Sequence, residues 1–255
     1  MGHEAERHHI IRAVSDMTRW GTLDPAGGSV SVRAGSGNIV STTASSAFVR
    51  WDITARNLMV YGPEGSIVER ATDLAPPDAP LHMAIYREFP NCNAIVHSHA
   101  PYSLAFASLG LGVPSCTNKL DTMGEVPCFT SDDPTVKEDV LAGRVNIDVA
   151  ECMGSRPDVI AGYLLTVNPQ MLEHFGSRAD ELDKHGLGFV VYRHGVFVFA
   201  RHLDEAVENL TRIEVSARTA LFQATLHGGI SGIKPDALHH PGATWSENLY
   251  SGNSR

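Results

Sequence analysis

Ala94-Ile95-Val96-His97-Ser98-His99-Ala100-Pro101-Tyr102 is an apolar run that ends in two histidines one residue apart. As a strand, it turns both imidazoles to the same face, because side chains alternate with a period of two. Two neutral imidazoles at the end of a buried strand are a ready pair of ligands for a divalent zinc, manganese, iron or cobalt ion. The pair is incomplete, since a catalytic metal usually takes three protein ligands and keeps a position open. The best third candidate is His194. It interrupts the β-rich run Gly188-Phe189-Val190-Val191-Tyr192-Arg193-His194-Gly195-Val196-Phe197-Val198-Phe199, and a glycine follows it. With 13 histidines in 255 residues, a chance His-x-His has to be weighed against this, and the surroundings decide.

Upstream, Leu81-His82-Met83-Ala84-Ile85-Tyr86-Arg87 reads as a helix, and Phe89-Pro90-Asn91-Cys92-Asn93 leads from it into the histidine strand. Some hundred residues later comes Arg193-His194-Gly195-Val196. In that order these segments resemble the class II aldolase/adducin-head family, over residues 10–226. The resemblance implies a three-layer α/β/α domain with a central, largely antiparallel sheet, assembled as a homotetramer. It also implies that His97, His99 and His194 hold a divalent metal.

The composition suits one substantial core: 43% of the residues are hydrophobic, and a single domain over residues 1–228 is expected, with a Gly/Pro/Ser-rich tail at 229–255. A net charge of −9 argues against nucleic acid or an anionic membrane as partner. No stretch approaches a membrane span, and the start lacks the apolar core of a signal peptide. Cys92, Cys116, Cys128 and Cys152 show no CxxC spacing and read as reduced thiols of a cytoplasmic protein.

Along the chain, Ile10, Ile11, Val14 and Met17 recur at helical spacing, with His8 and His9 on the solvated face. Ser29-Val30-Ser31-Val32-Arg33 and Asn38-Ile39-Val40-Ser41-Thr42-Thr43 read as a hairpin around Gly35-Ser36-Gly37. A further strand ends at Tyr61 and returns through Gly62-Pro63-Glu64-Gly65. Asp78, at the mouth of the next helix with Pro80 just inside, reads as an N-cap. Residues 102–108 read as a short helix, residues 113–133 as an irregular polar rim, and residues 135–153 as a further helix. An apolar run of undecided type follows at 159–167. Residues 173–186 look like a charged, exposed insertion. The clearest helix follows, with Val207, Leu210, Ile213, Ala217 and Leu221 in one stripe, and Gly228-Gly229 stops it.

A metal held by the three histidines polarises substrate oxygens and lowers the barrier to breaking a neighbouring C–C bond. Such chemistry needs a proton carrier. In the family's aldolases this is usually a glutamate just before the helix that leads into the histidine strand. Asp78 stands there, one methylene shorter, so it is either the acid–base or merely the cap. The family's phosphate-binding members carry an asparagine where this chain has Ser29. They have a Thr-Pro-Ser/Thr-Gly loop where it has Thr43-Ala44-Ser45-Ser46-Ala47, and a serine pair where it has Pro76-Pro77. Proline offers a phosphate neither hydroxyl nor N–H.

The expected function is therefore a metal-dependent lyase, by decarboxylation or aldol-type cleavage, for an unphosphorylated hydroxy or oxo carboxylic acid, aromatic acids included. Two alternatives stand beside it: a non-heme iron oxygenase on the same fold, and an adducin-like binding module without catalysis. Ser29, Tyr102, Arg193 and Tyr250 are the candidate substrate contacts.

Overall fold

The computed structural model describes residues 2–24, 27–71, 76–130 and 168–229. The expected helix at 135–153, the apolar run at 159–167, Cys152 and the tail with Tyr250 lie outside the described residues. The strands are β1 (Ser29–Arg33), β2 (Ile39–Ser41), β3 (Met59–Tyr61), β4 (Ile67–Glu69), β5 (Ala94–Ser98), β6 (Cys128–Phe129), β7 (Leu187–Val191) and β8 (Gly195–Ala200). They make one sheet in the order β4-β3-β2-β1-β5-β8-β7-β6. Each pairing is antiparallel except β6 with β7. The histidine strand β5 lies inside the sheet, hydrogen-bonded on both edges, which explains why its residues are buried without a break.

The sheet separates two apolar layers, and the period of two assigns side chains to each. Val30, Val40, Val60, Val96, Val190, Val196 and Val198 point to one side. There they meet α1 (Glu4–Trp20), α3 (Pro101–Ser108) and α5 (Leu203–His227). Ile39, Tyr61, Ile95, Phe189, Val191, Phe197 and Phe199 point to the other. That side is covered by α2 (Ala79–Glu88) and α4 (Asn168–Phe175). The result is the expected three-layer α/β/α arrangement.

Helix α1 buries Ile10, Val14 and Met17 completely, each worth about 1.5–3 kcal/mol of apolar burial. Gly21, in the left-handed region, closes it by turning its N–H back to Met17 and Thr18. Arg7 on the same helix is fully buried, bonded to the carbonyls of Ala55 and Leu58 and paired with Glu69 at 2.8 Å. It ties α1 to the β3–β4 end of the sheet. The stripe on α5 buries Val207, Leu210, Ile213 and Ala217, and Gly228 ends the helix.

Three expectations need correction. Residues 173–186 are not an exposed insertion: α4 runs into a 3₁₀ segment (Gly176–Asp183) whose Glu181 and Leu182 are buried, as are Phe175 and His185. Arg178 reaches Glu181 through two bonds of 2.9 Å and the Met123 carbonyl through a third, so the charges satisfy one another inside the fold. Residues 113–127 are less polar than a rim should be, for Val113, Leu120, Met123 and Val126 all enter the core. His9 is not simply solvated; its Nε2 lies 2.9 Å from Asp204 Oδ1 and joins α1 to α5.

Candidate metal centre

His97 and His99 come from the end of β5, and His194 from the turn between β7 and β8. Strand pairing sets Ser98 opposite Val196, which brings that turn beside the end of the histidine strand. The turn is tight. Arg193 takes a left-handed φ of 54°, and the His194 N–H returns to the Val191 carbonyl at 3.0 Å. One ligand atom from each histidine lies within 4.8 Å of the other two, and among the described residues they form the one such group.

The residues present fit a divalent metal. In a tetrahedral site with metal–nitrogen bonds of about 2.1 Å, ligand nitrogens stand about 3.4 Å apart, so modest closing of the rings suffices. The His97 ring is already set: its Nδ1–H donates to the Val196 carbonyl at 3.0 Å, leaving Nε2 as the ligand nitrogen. It stacks on Phe197, centroids 4.1 Å apart and planes 9° from parallel, and on its other neighbour His194 at 4.6 Å. Burial pushes the His97 pKa down to about 3, against the opposing charge of Asp78 and with help from His99, so the ring is neutral at physiological pH. Gly195 explains itself here: a Cβ would clash with the Ser98 carbonyl and come within 3.0 Å of both His97 and His99. Gly28, at φ 117°, is likewise closed in by the His97 carbonyl at 2.9 Å. His99 Nδ1 lies 4.0 Å from the carboxylate of Asp24.

The sequence offers Asp78 two roles, acid–base or helix cap. It stands at the N-cap position of α2, yet its side chain makes no capping hydrogen bond. It turns inward, 3% exposed, and accepts the Ser29 hydroxyl; His82 Nε2 lies 3.4 Å from the same oxygen. Ser29 is the partner of His97 across the β1–β5 ladder, so Asp78 is delivered to the metal side of the sheet. Burial alone would raise its pKa. His82, His97 and the Ser29 hydroxyl outweigh burial and hold it well below the usual carboxylate range.

The other expected site residues fare differently. Ser29 is buried and its hydrogen is committed to Asp78. Tyr102, at the start of α3, is 36% exposed; its N–H bonds Glu214 and its ring lies under Arg218 at 5.8 Å. Arg193 is exposed, and its left-handed backbone shapes the turn that places His194. Three residues were not anticipated at all: His82, Ser31 and Tyr86. The Ser31 hydroxyl lies 2.9 Å from both His82 Nδ1 and Tyr86 Oη. Their signal was the spacing Asp78, His82, Tyr86 on one helical face opposite Ser29 and Ser31 on one strand face.

The chain is similar to L-ribulose-5-phosphate 4-epimerase UlaF of Salmonella paratyphi A, with 24% identity over 230 residues and 89% of each chain covered. Among solved structures, it shares a fold with an L-fuculose 1-phosphate aldolase at a TM-score of 0.62, 15% identity, and coverage of 98% of this chain and 94% of that one. YgbL of Escherichia coli superposes with a TM-score of 0.60 at 22% identity, covering 86% of this chain and 89% of its own. At such identities the likeness speaks for the fold. The match to the Class II Aldolase and Adducin N-terminal domain extends over residues 8–221, and to that family the chain belongs.

Proposed function

We propose that the protein is a metal-dependent lyase that breaks a C–C bond in an unphosphorylated hydroxy or oxo carboxylic acid. The observation that carries this is Asp78: a buried carboxylate at a helix mouth whose side chain caps nothing and turns inward to Ser29, the strand partner of His97. A divalent metal on His97, His99 and His194 supplies a Lewis acid for the substrate's oxygens. Asp78, ionised, takes the proton from the substrate hydroxyl as the neighbouring C–C bond breaks, and returns it to the carbon that has lost its partner. The β5 end and the His194 turn position those events, while Phe197 stacks on the His97 ring and Phe189 stacks on Phe197 in turn.

The absence of phosphate from the substrate is supported by the groups that ought to receive it. Thr43, Ser45 and Ser46 spend their hydroxyls on one another: Thr43 Oγ1 lies 2.9 Å from Ser45 Oγ, and Ser46 Oγ accepts the Thr43 N–H at 3.1 Å. Pro76 and Pro77 have no hydroxyl to offer. A buried dianion there would lack most of its hydrogen bonds, at a cost of several kcal/mol. A carboxylate needs no separate anion pocket, since it can chelate beside the hydroxyl.

Zinc, manganese, iron and cobalt all suit three imidazoles, and metal analysis of protein purified without chelator identifies the one bound. A homotetramer is the proposed assembly; the exposed Trp20, Phe48, Leu109, Phe222 and Leu226 supply apolar surface for it, and sedimentation measures it. The function is tested with phosphorylated ketoses, hydroxylated aromatic acids and 2-oxo or 2-hydroxy acids, each under air and under argon. Turnover of an acid that persists under argon is expected. Cleavage of a ketose phosphate at micromolar KM overturns the substrate class, and turnover that stops without oxygen replaces the lyase with an oxygenase. Asp78→Asn, which would cap a helix as well as Asp, is expected to lower kcat about a hundredfold or more.

A further inference from the structure

We propose that His82 is the positioning residue of Asp78, held from behind by Ser31 and Tyr86 so that its ring hydrogen is aimed at the carboxylate. The inference rests on the reading that Asp78 carries the proton. Asp78, His82 and Tyr86 follow one another at intervals of four on α2 and so share a helical face. Ser29 and Ser31, two apart on β1, share a strand face. The two faces meet as a polar seam inside the apolar layer between α2 and the sheet, and all five residues are buried.

The direction of the hydrogen bonds follows from donor and acceptor capacity. A carboxylate accepts and cannot donate, so Ser29 gives its hydrogen to Asp78. The ring nitrogen Nε2 of His82 then faces two acceptors, Ser29 Oγ at 3.3 Å and Asp78 Oδ2 at 3.4 Å, and must carry the hydrogen. In a neutral imidazole Nδ1 is consequently the acceptor, and the Ser31 hydroxyl, at 2.9 Å, donates to it. Tyr86 in turn donates to Ser31 at 2.9 Å. Burial keeps the Tyr86 phenol protonated, so it serves as the donor at the far end of the chain.

Arg33 holds that end. Its guanidinium lies 5.0 Å over the Tyr86 ring and bonds the Tyr86 carbonyl. Each hydrogen in the seam therefore points toward Asp78, which fixes one rotamer of the carboxylate and stabilises its charged form in a dry layer. A histidine that merely filled space against Phe197, with ring centroids 6.1 Å apart, would need none of this order.

The experiment compares His82→Leu, His82→Gln, Tyr86→Phe and Asp78→Asn in the zinc-loaded protein, with turnover of the acid that proves active in the panel above. His82→Leu is expected to lower kcat roughly ten- to a hundredfold with KM and bound zinc within about twofold of the parent. His82→Gln, which can still donate to Asp78 and accept from Ser31, should recover most of the loss. An undiminished kcat in His82→Leu, with Asp78→Asn inactive, overturns the positioning role and leaves Asp78 in its own. An undiminished kcat in Asp78→Asn overturns the proton-carrier reading itself, and the positioning role with it.

A readout free of substrate is the ring tautomer of His82 by nitrogen-15 NMR of the parent protein. Hydrogen on Nε2 with Nδ1 bare supports the assignment, and hydrogen on Nδ1, alone or together with Nε2, overturns it. Should His82→Leu fail to fold, Tyr86→Phe decides together with the tautomer. A loss of about threefold or more in kcat at unchanged KM is expected from one missing hydrogen bond, and no loss overturns the chain.

Discussion

At the scale of single residues, the centre depends on groups that touch no substrate. His97 is neutral because it is buried, oriented because Val196 takes its Nδ1 hydrogen, and flat against Phe197. Removing any one of His97, His99 and His194 leaves two imidazoles, so each alanine variant is expected to lose bound metal and activity while keeping the fold. Stoichiometric metal in His194→Ala, measured by elemental analysis, would sink the three-histidine assignment. Gly195 is the stricter case. An alanine there needs room already taken by the Ser98 backbone, His97 and His99, so the end of β5 must shift. Gly195→Ala is expected to weaken zinc by about tenfold or more in chelator competition, and to cost about 1–3 kcal/mol of stability in urea.

At the scale of elements, the long helices and the hairpin were legible because each carries its own period. The α5 stripe and the helical spacing on α1 need no partner to be recognised. The charged segment at 176–183 was misread for the opposite reason: its polarity is satisfied internally, by Arg178 and Glu181, and only packing reveals that Leu182 and His185 are inside. The polar seam behind Asp78 needed the register of two elements some fifty residues apart, and a single sequence carries no such register. The three histidines of the candidate metal centre were legible because two of them stand one residue apart at the end of one strand.

Helix packing also has a pH signature. The hydrogen bond from His9 lowers the Asp204 pKa, against burial and with help from His9, Arg12 and His202 charge. A depressed carboxylate contributes stability above its unfolded pKa, near 3.9, and loses it as pH falls through the folded value. Asp204→Asn is therefore expected to cost on the order of 1 kcal/mol at pH 6 and progressively less toward pH 3, read from urea midpoints. A cost that stays constant between those pH values would show that the pair between α1 and α5 does not titrate with Asp204.

At the scale of the whole molecule, the layers are ordered by one sheet whose inner strands come from distant parts of the chain. Among the described residues, no helix is long and apolar enough to cross a membrane. The sheet's centre is where β1, β5 and β8 lie side by side, and the bond that orients His97 joins residues 99 positions apart. Such pairings close long loops and form slowly. The order of events in time follows from this. While a chain is growing, its first two imidazoles are present long before their third, and β8 must dock on β5 before any of them is oriented. On the proposed reading, loading with metal is thus a late act of maturation. In a refolding experiment with cobalt, the visible absorbance of the bound ion should rise with the last phase of tryptophan fluorescence, and a chain cut before residue 194 should never develop it.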